Sequence, residues 1–261
     1  MAQITLEPEV IDIPEPDISH IETEDDTPVD NIFSEKQQRL LTESLYTSWR
    51  GHPTKDRPFV ALANVGLFFA TDEPALVPDM LLSLDVHLPE ELWEKKHRSY
   101  FIWEYGKPPE VVVEVVSNRK GGELGKKKKR YAQIGIAYYV VFDPARHLGN
   151  KVVYLFERRG GEYVEVRKLW LPAVGLGLTV WNGEYEGQLE DWLRWCDREG
   201  NLIATGAEAA QQAYWQAAQE RERAEQERER ADQERERAEQ ERERAERLAA
   251  QLRALGIEPA G

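Results

Sequence analysis

The stretch PPEVVVEVVS, residues 108–117, decides the fold. After Glu110 it is a run of β-branched residues with one charge, Glu114, set inside it, and it reads as a strand buried on both faces. ELGKKKKRYAQI (123–134) then reads as a helix with Gly135 as its stop, and AYYVVFDP (137–144) as a second apolar strand. Strand, helix, strand in that order builds a βαβ unit with parallel strands. Further on, KVVYLFERRGGEYVEVRKLW (151–170) reads as a hairpin turning at Gly160–Gly161. QLEDWLRWCDREG (188–200) reads as a closing amphipathic helix or an edge segment.

Working toward the N-terminus, residues 86–109 are polar and proline-bounded, with Trp93 and Trp103 as packing residues. RPFVALANVGLFFATDEPALVPDMLLSLD (57–85) reads as short strands broken at Asn64–Gly66 and at Asp72–Pro74. Ser34 is the expected N-cap of a helix on which Leu41, Leu45 and Trp49 fall at i, i+4 and i+8. Gly51, His52 and Pro53 end it. The expected fold class is α/β, a mixed sheet flanked by helices, with a long charged helix after it.

Charge is spread unevenly over the 261 residues, whose formal net charge is -14. Residues 1–33 hold ten acids and no Lys or Arg, with prolines at 8, 14, 16 and 28; such a segment buries too little apolar surface to offset its ordering entropy and reads as mostly disordered. Residues 208–261 hold 14 acids and 10 bases, which leaves 24 of each for the segment between, so the domain at 34–200 is neutral and can carry a local basic face. Within 208–255 an alanine recurs every seven residues from Ala210 to Ala245. A supercoil seam needs two apolar positions per heptad, and the second here is Glu or Arg, so a solvated helix is favoured over a weak coiled-coil homodimer. One cysteine, Cys196, excludes an internal disulfide framework and a multi-cysteine zinc site. No apolar run is long enough to span a membrane and the first residues do not read as a secretory signal, so a cytoplasmic protein is expected.

Glu114 is costly in its strand unless paired or bound to a cation. Upstream, Asp79 follows Pro78 at the head of another apolar segment. Two strand-borne carboxylates that meet across a sheet suit Mg²⁺, a hard ion that takes oxygen ligands and keeps waters. Lysines follow on the next helix: Lys126, Lys127, Lys128 and Lys129. With Arg119, Lys120 and Arg130 they set seven bases against one acid in twelve residues, a phosphate-contact patch on a neutral domain. Plainer readings stand beside these. Asp79 can be a turn acid, Glu114 half of a buried ion pair, Lys127 a partner of Glu123 at i, i+4, and the basic run a solvated helix face.

The ordered set Pro78–Asp79, Pro109, Glu114–Ser117, Leu124–Gly125, Lys127, Tyr131–Ala132, Gly135, Tyr138 and Asp143–Pro144 resembles the Uma family of restriction-endonuclease-like proteins, within the PD-(D/E)XK nuclease superfamily. The resemblance covers roughly 34–200 and is strongest over 78–144. It implies a restriction-endonuclease-like fold and Mg²⁺-dependent cleavage of DNA, with Mn²⁺ able to substitute. Asp79 and Glu114 become the metal ligands and Lys127 the catalytic lysine, while Tyr131 packs or positions. Two departures stand out. The superfamily lysine two residues after the acid is Val116 here, its role moved to Lys127, and Glu123 stands where the family often has Asp. An acid on the first helix, Glu35 or Glu43, is a further candidate. The rival expectation is a catalytically inactive nuclease fold that binds DNA or protein.

Overall fold

The computed structural model describes residues 16–21, 31–49, 51, 56–118 and 122–254. In chain order its elements are α1 (Ile32–Ser48), β1 (Phe59–Ala63), β2 (Leu67–Phe68), β3 (Met80–Leu84), β4 (Tyr100–Phe101), α2 (Ile102–Tyr105), β5 (Val111–Val115), a π-helical turn (Glu123–Lys127) running into α3 (Lys128–Ile134), β6 (Tyr138–Phe142), β7 (Val153–Arg159), β8 (Glu162–Val166), β9 (Trp170–Leu171), β10 (Leu176–Tyr185), β11 (Gln188–Cys196) and α4 (Gly206–Ala254). The main sheet runs β1-β3-β5-β6-β7-β8. Its only parallel neighbours are β5 and β6, joined by the crossover through α3, and every other pair is antiparallel. The βαβ unit and the hairpin at Gly160–Gly161 are thus both present. The two glycines take φ +57° and +93°, the left-handed values that a tight two-residue turn demands.

Alternation along the strands sorts the core into two layers. Met80, Leu82, Val111, Val113, Val115, Val140 and Phe142 pack on one side with Leu41 and Leu45 of α1 and with Leu178, Leu193 and Trp195 of the second sheet. Leu81, Val112, Val116, Tyr139 and Val141 pack on the other with Tyr131 and Ile136 around α3. Glu114 has the parity of Val112 and Val116, so the pleat aims it at the α3 side.

Helix α1 is held between the sheets by polar as well as apolar contacts. The Gln37 side chain donates to Leu193 O and accepts from Leu193 N, both at 2.9 Å, and the Trp195 indole donates to Leu41 O at 2.9 Å. The cap lies three residues before the expected one. Asn31 is the N-cap, its side chain accepting from Ser34 N at 2.9 Å, and the Ser34 side chain is buried inside the first turn.

Three further expectations are decided, corrected or refined by the structure. QLEDWLRWC is not a helix but an edge strand, β11, at the margin of the second sheet and paired over nine residues with β10. Its apolar residues 189, 192, 193 and 196 mimic helical spacing, yet Glu186–Gly187, at φ +47° and +76°, close a hairpin immediately before it. Trp93 is 83% exposed and packs nothing, whereas Trp103 tilts against Phe101 at 5.1 Å between centroids. Part of the acidic N-terminal segment is ordered against the domain: Ile21 is buried with Phe68 and Phe101, and Lys95 Nζ donates to Ser19 O at 2.8 Å. The rest of that segment lies outside the described residues.

Helix α4 runs for 49 residues as a unit of its own from Ala207 onward. Its side chains are exposed along nearly the whole length, and i, i+4 ion pairs close at Arg242–Glu246 and Glu243–Arg247. The pairs that spacing offers at Arg223–Glu227 and Arg230–Glu234 are not closed in the structure. No helix among the described residues is long and apolar enough to cross a membrane.

Candidate active site

The antiparallel register pairs Met80 with Val113, Leu81 with Val112 and Leu82 with Val111. One step further along the same register, just beyond the start of β3, Asp79 comes opposite Glu114. The Asp79 carboxylate is tied there from two sides. Oδ2 accepts from Val115 N at 2.7 Å, and Oδ1 accepts from the Gln38 amide at 2.6 Å. Gln38 is buried on α1, so the first helix does reach the site, but through a neutral amide. The acids considered for that part are engaged elsewhere. Glu35 pairs with Arg39, and Glu43 Oε1 accepts from Gly206 N at 2.5 Å.

Glu114 is 2% exposed, and both of its oxygens are held by the element that follows it. Lys127 Nζ donates to Oε2 at 2.8 Å and Tyr131 OH donates to Oε1 at 2.7 Å. The two donors sit four residues apart, one turn along the helical stretch between β5 and β6, which puts them on the same face. That stretch opens with Gly122 at φ +71° and makes a π-helical turn before settling into α3. Such single turns occur often at functional sites, because the extra residue re-aims a side chain.

Electrostatics at this point are finely balanced. Burial pushes the Glu114 carboxyl up to about 7; Lys127 opposes the rise, and the charge of Asp79 adds to it. Burial lowers the Lys127 ammonium, but the charge and hydrogen bond of Glu114 outweigh it, and the net shift is upward. The Tyr131 hydroxyl is raised far above the usual tyrosine value, by burial first and then by the Glu114 charge, so it stays a donor. Two neighbouring carboxylates with one ammonium between them leave an excess of negative charge in a half-buried site. That donor set of hard oxygens suits a divalent cation. Among the described residues no group of three or more His, Cys, Asp or Glu gathers into a complete metal cage.

Asp79, Glu114 and Lys127 are therefore together, and Lys127 pairs with Glu114 rather than with Glu123. The basic patch is more scattered. Lys126 and Lys129 are exposed. Lys128 Nζ lies 3.9 Å over the Phe156 ring, and Arg130 pairs with Glu73 while its guanidinium sits 4.5 Å over Phe69. Arg119 and Lys120 lie outside the described residues. Asp143, part of the sequence pattern, is structural: fully buried, it accepts from His147 N at 2.8 Å and Leu148 N at 2.7 Å and so shapes the turn after β6.

Sequence reasoning missed Gln38 and gave Glu123 no role in the site beyond a surface pairing with Lys127. Glu123 is buried, and its Oε2 accepts no hydrogen bond. Its sequence signals were its place in the family pattern and its spacing of four residues from Lys127.

A mixed sheet with a parallel pair at its centre, flanked by helices and bearing the paired acids on adjacent strands, is a fold of the restriction-endonuclease type. The family comparison agrees. The model of the Uma2 family, described as "Putative restriction endonuclease", matches residues 9–178, and the chain belongs to that family. The match starts earlier than the 34–200 segment expected from the motifs and stops within β10. A comparison with curated proteins finds no match.

Proposed function

We propose that this protein is a divalent-metal-dependent endonuclease that hydrolyses DNA phosphodiester bonds. The observation that carries the reading is the Glu114 carboxylate, buried on β5, opposite Asp79 and bonded to Lys127. A nuclease needs such a grouping, and a folding core does not. The family description supports the nuclease class. Asp79 and Glu114 are the residues that would hold the cation, Mg²⁺ in our reading with Mn²⁺ as substitute; when bound it supplies charge neutralisation at the scissile phosphate and acidifies water.

The protein's own groups do the rest. Gln38 and the Val115 amide fix the Asp79 carboxylate in place. Tyr131 holds one oxygen of Glu114 and leaves the other to Lys127. Lys127 positions the attacking water and donates hydrogen bonds to the phosphate as negative charge builds on it. Lys126 and Lys129, exposed on the same helical stretch, contact the DNA backbone, and the charges of Arg119, Lys120, Lys128 and Arg130 add to the attraction for phosphate. We also assign the segment 34–200 as the nuclease domain and a cytoplasmic setting, with α4 as a helical arm able to associate weakly with a second copy.

Plasmid cleavage by the full chain, with Mg²⁺, Mn²⁺ or EDTA, tests the reading. Cleavage with either ion and none with EDTA is expected. The closed Lys127–Glu114 pair favours one second reading, a nuclease fold that binds without cutting. A parent inert on DNA and RNA, yet able to shift DNA in a gel, would decide for that reading.

A further inference from the structure

We infer that Glu123 is a second seat for the Lys127 ammonium, taken up when a cation occupies Glu114. The inference rests on the metal-site reading above. In the structure Lys127 donates to Glu114 Oε2 at 2.8 Å, while Tyr131 holds Oε1. Both oxygens of the buried carboxylate are thus spent on donors from the protein. A divalent cation and an ammonium compete for the same oxygen, since each brings positive charge to it. Entry of the cation therefore expels Lys127 from its partner.

An expelled Lys127 has a problem that sequence alone did not reveal. Its side chain is two-thirds covered, at 32% exposure, and removing one member of a covered ion pair leaves the other charge uncompensated. The new partner must be close and anionic. Glu123 meets both conditions. It lies four residues before Lys127 on the same helical stretch, the spacing at which side chains on one helix reach each other. Its charge already acts on Lys127 alongside those of Glu114 and Asp79. It is 5% exposed, and Oε2 has no hydrogen-bond donor, a state that costs energy and needs an explanation. The Glu123 backbone is steadied independently, its carbonyl accepting from Tyr139 OH at 3.1 Å, so the side chain can move without the turn. Glu123 is thus a positioning residue that acts through Lys127. It keeps the ammonium beside the site after Glu114 has turned to the metal.

Calorimetric titration of the full chain with Mn²⁺, without nucleic acid, tests this in five proteins: parent, E123Q, E123D, K127M and the E123Q/K127M double variant. E123Q should weaken Mn²⁺ binding about tenfold, because the displaced lysine has no seat. K127M should bind at least as tightly as the parent, since no ammonium must be displaced. E123Q added to K127M should change affinity less than twofold. E123D should restore parent affinity to within about threefold, which a folding defect would not allow, and melts of all variants check folding. Equal weakening by E123Q with and without Lys127 would make Glu123 a direct ligand and overturn the inference. Unchanged affinity of E123Q in the parent background overturns it too. A parent that binds no Mn²⁺ overturns the metal-site reading itself, and this inference with it.

Discussion

Tyr131 OH donates to Glu114 Oε1 at 2.7 Å, leaving Oε2 as the oxygen that Lys127 contacts. The tyrosine is fully buried, and its raised pKa keeps the proton on the hydroxyl at every working pH. A hydrogen bond to a buried charged group contributes roughly 1.5–3 kcal/mol. Tyr131→Phe should therefore lower stability by about that amount above pH 7, where Glu114 is ionised. As pH falls through 7, where folded Glu114 takes up its proton, the loss should shrink. Denaturant melts of the two proteins on either side of that pH read the difference.

A second prediction follows from the upward shift of Glu114. Its carboxyl ionises near 4.5 in the unfolded chain and near 7 in the folded one. Below 4.5 both states carry the proton. Between 4.5 and 7 the folded state holds a proton that the unfolded state has lost, so stability falls as pH rises through this window. Above 7 both are ionised and the full cost is present. Lys127 shifts upward from 10.5, so its contribution is constant across the window. Glu114→Gln has no such slope. Its stability relative to the parent should rise between pH 4.5 and 7 by about 3 kcal/mol, since one pKa unit is about 1.4 kcal/mol. A flat difference across that range would show that Glu114 is not held near 7.

Gln38 gives a test of the opposite sign. Its amide donates to Asp79 Oδ1 at 2.6 Å. Gln38→Glu keeps the shape and turns the donor into a second buried anion. Metal-free protein should lose about 1–3 kcal/mol, because a donor is gone and like charges face each other. Millimolar Mn²⁺ should then raise the melting temperature of Gln38→Glu more than that of the parent. An equal response in both proteins would place Gln38 outside the site.

How much of this was legible in the sequence depended on what each residue had to do locally. Glu114 was visible because a charge within Val111–Val116 has no local excuse. Lys127 and Tyr131 were visible through a family pattern whose spacing the structure explains: one helical turn brings both to the same carboxylate. Gln38 left no such mark. It is neutral, sits in an ordinary amphipathic helix, and meets Asp79 only because Gln37 and Trp195 dock α1 between the sheets. β11 was left open between helix and edge segment because Leu189, Trp192, Leu193 and Cys196 satisfy a helical period, while only Trp192–Cys196 is buried as a strand. Its deciding signal was the Glu186–Gly187 turn, weaker in sequence than an Asn–Gly pair. The N-cap moved from Ser34 to Asn31 because either residue can cap, and only packing put the serine inside.

The ends of the chain should respond differently to truncation. Removing residues 208–261 should leave the melt of the remaining chain cooperative and within a few degrees of the parent, because α4 from Ala207 forms a unit of its own. Removing 1–21 takes away Ile18 and Ile21, which pack against Phe68 and Phe101. Burying one such side chain contributes roughly 1.5–3 kcal/mol, so the melt should fall measurably while staying cooperative. Loss of cooperativity after the first truncation would show that the domain boundary is misplaced.

The last prediction concerns the chemistry. Asp79→Asn and Glu114→Gln each remove one charge while nearly preserving shape, so the cation loses a ligand and the domain keeps its packing. Lys127→Ala removes the amine proposed to position water and to steady the phosphate. Each should lower Mg²⁺-dependent plasmid cleavage by at least about two orders of magnitude, the usual scale for one positioned electrostatic group. Their stabilities should diverge. At pH 8 Glu114→Gln should be at least as stable as the parent, because it relieves a buried charge. Lys127→Ala should be less stable there, because it strands Glu114 without its counter-charge, and the deficit should close at pH 5. A purely structural trio would show the same stability pattern with no cleavage to lose. Cleavage that survives all three substitutions, or that persists in EDTA, would place the chemistry elsewhere on the protein.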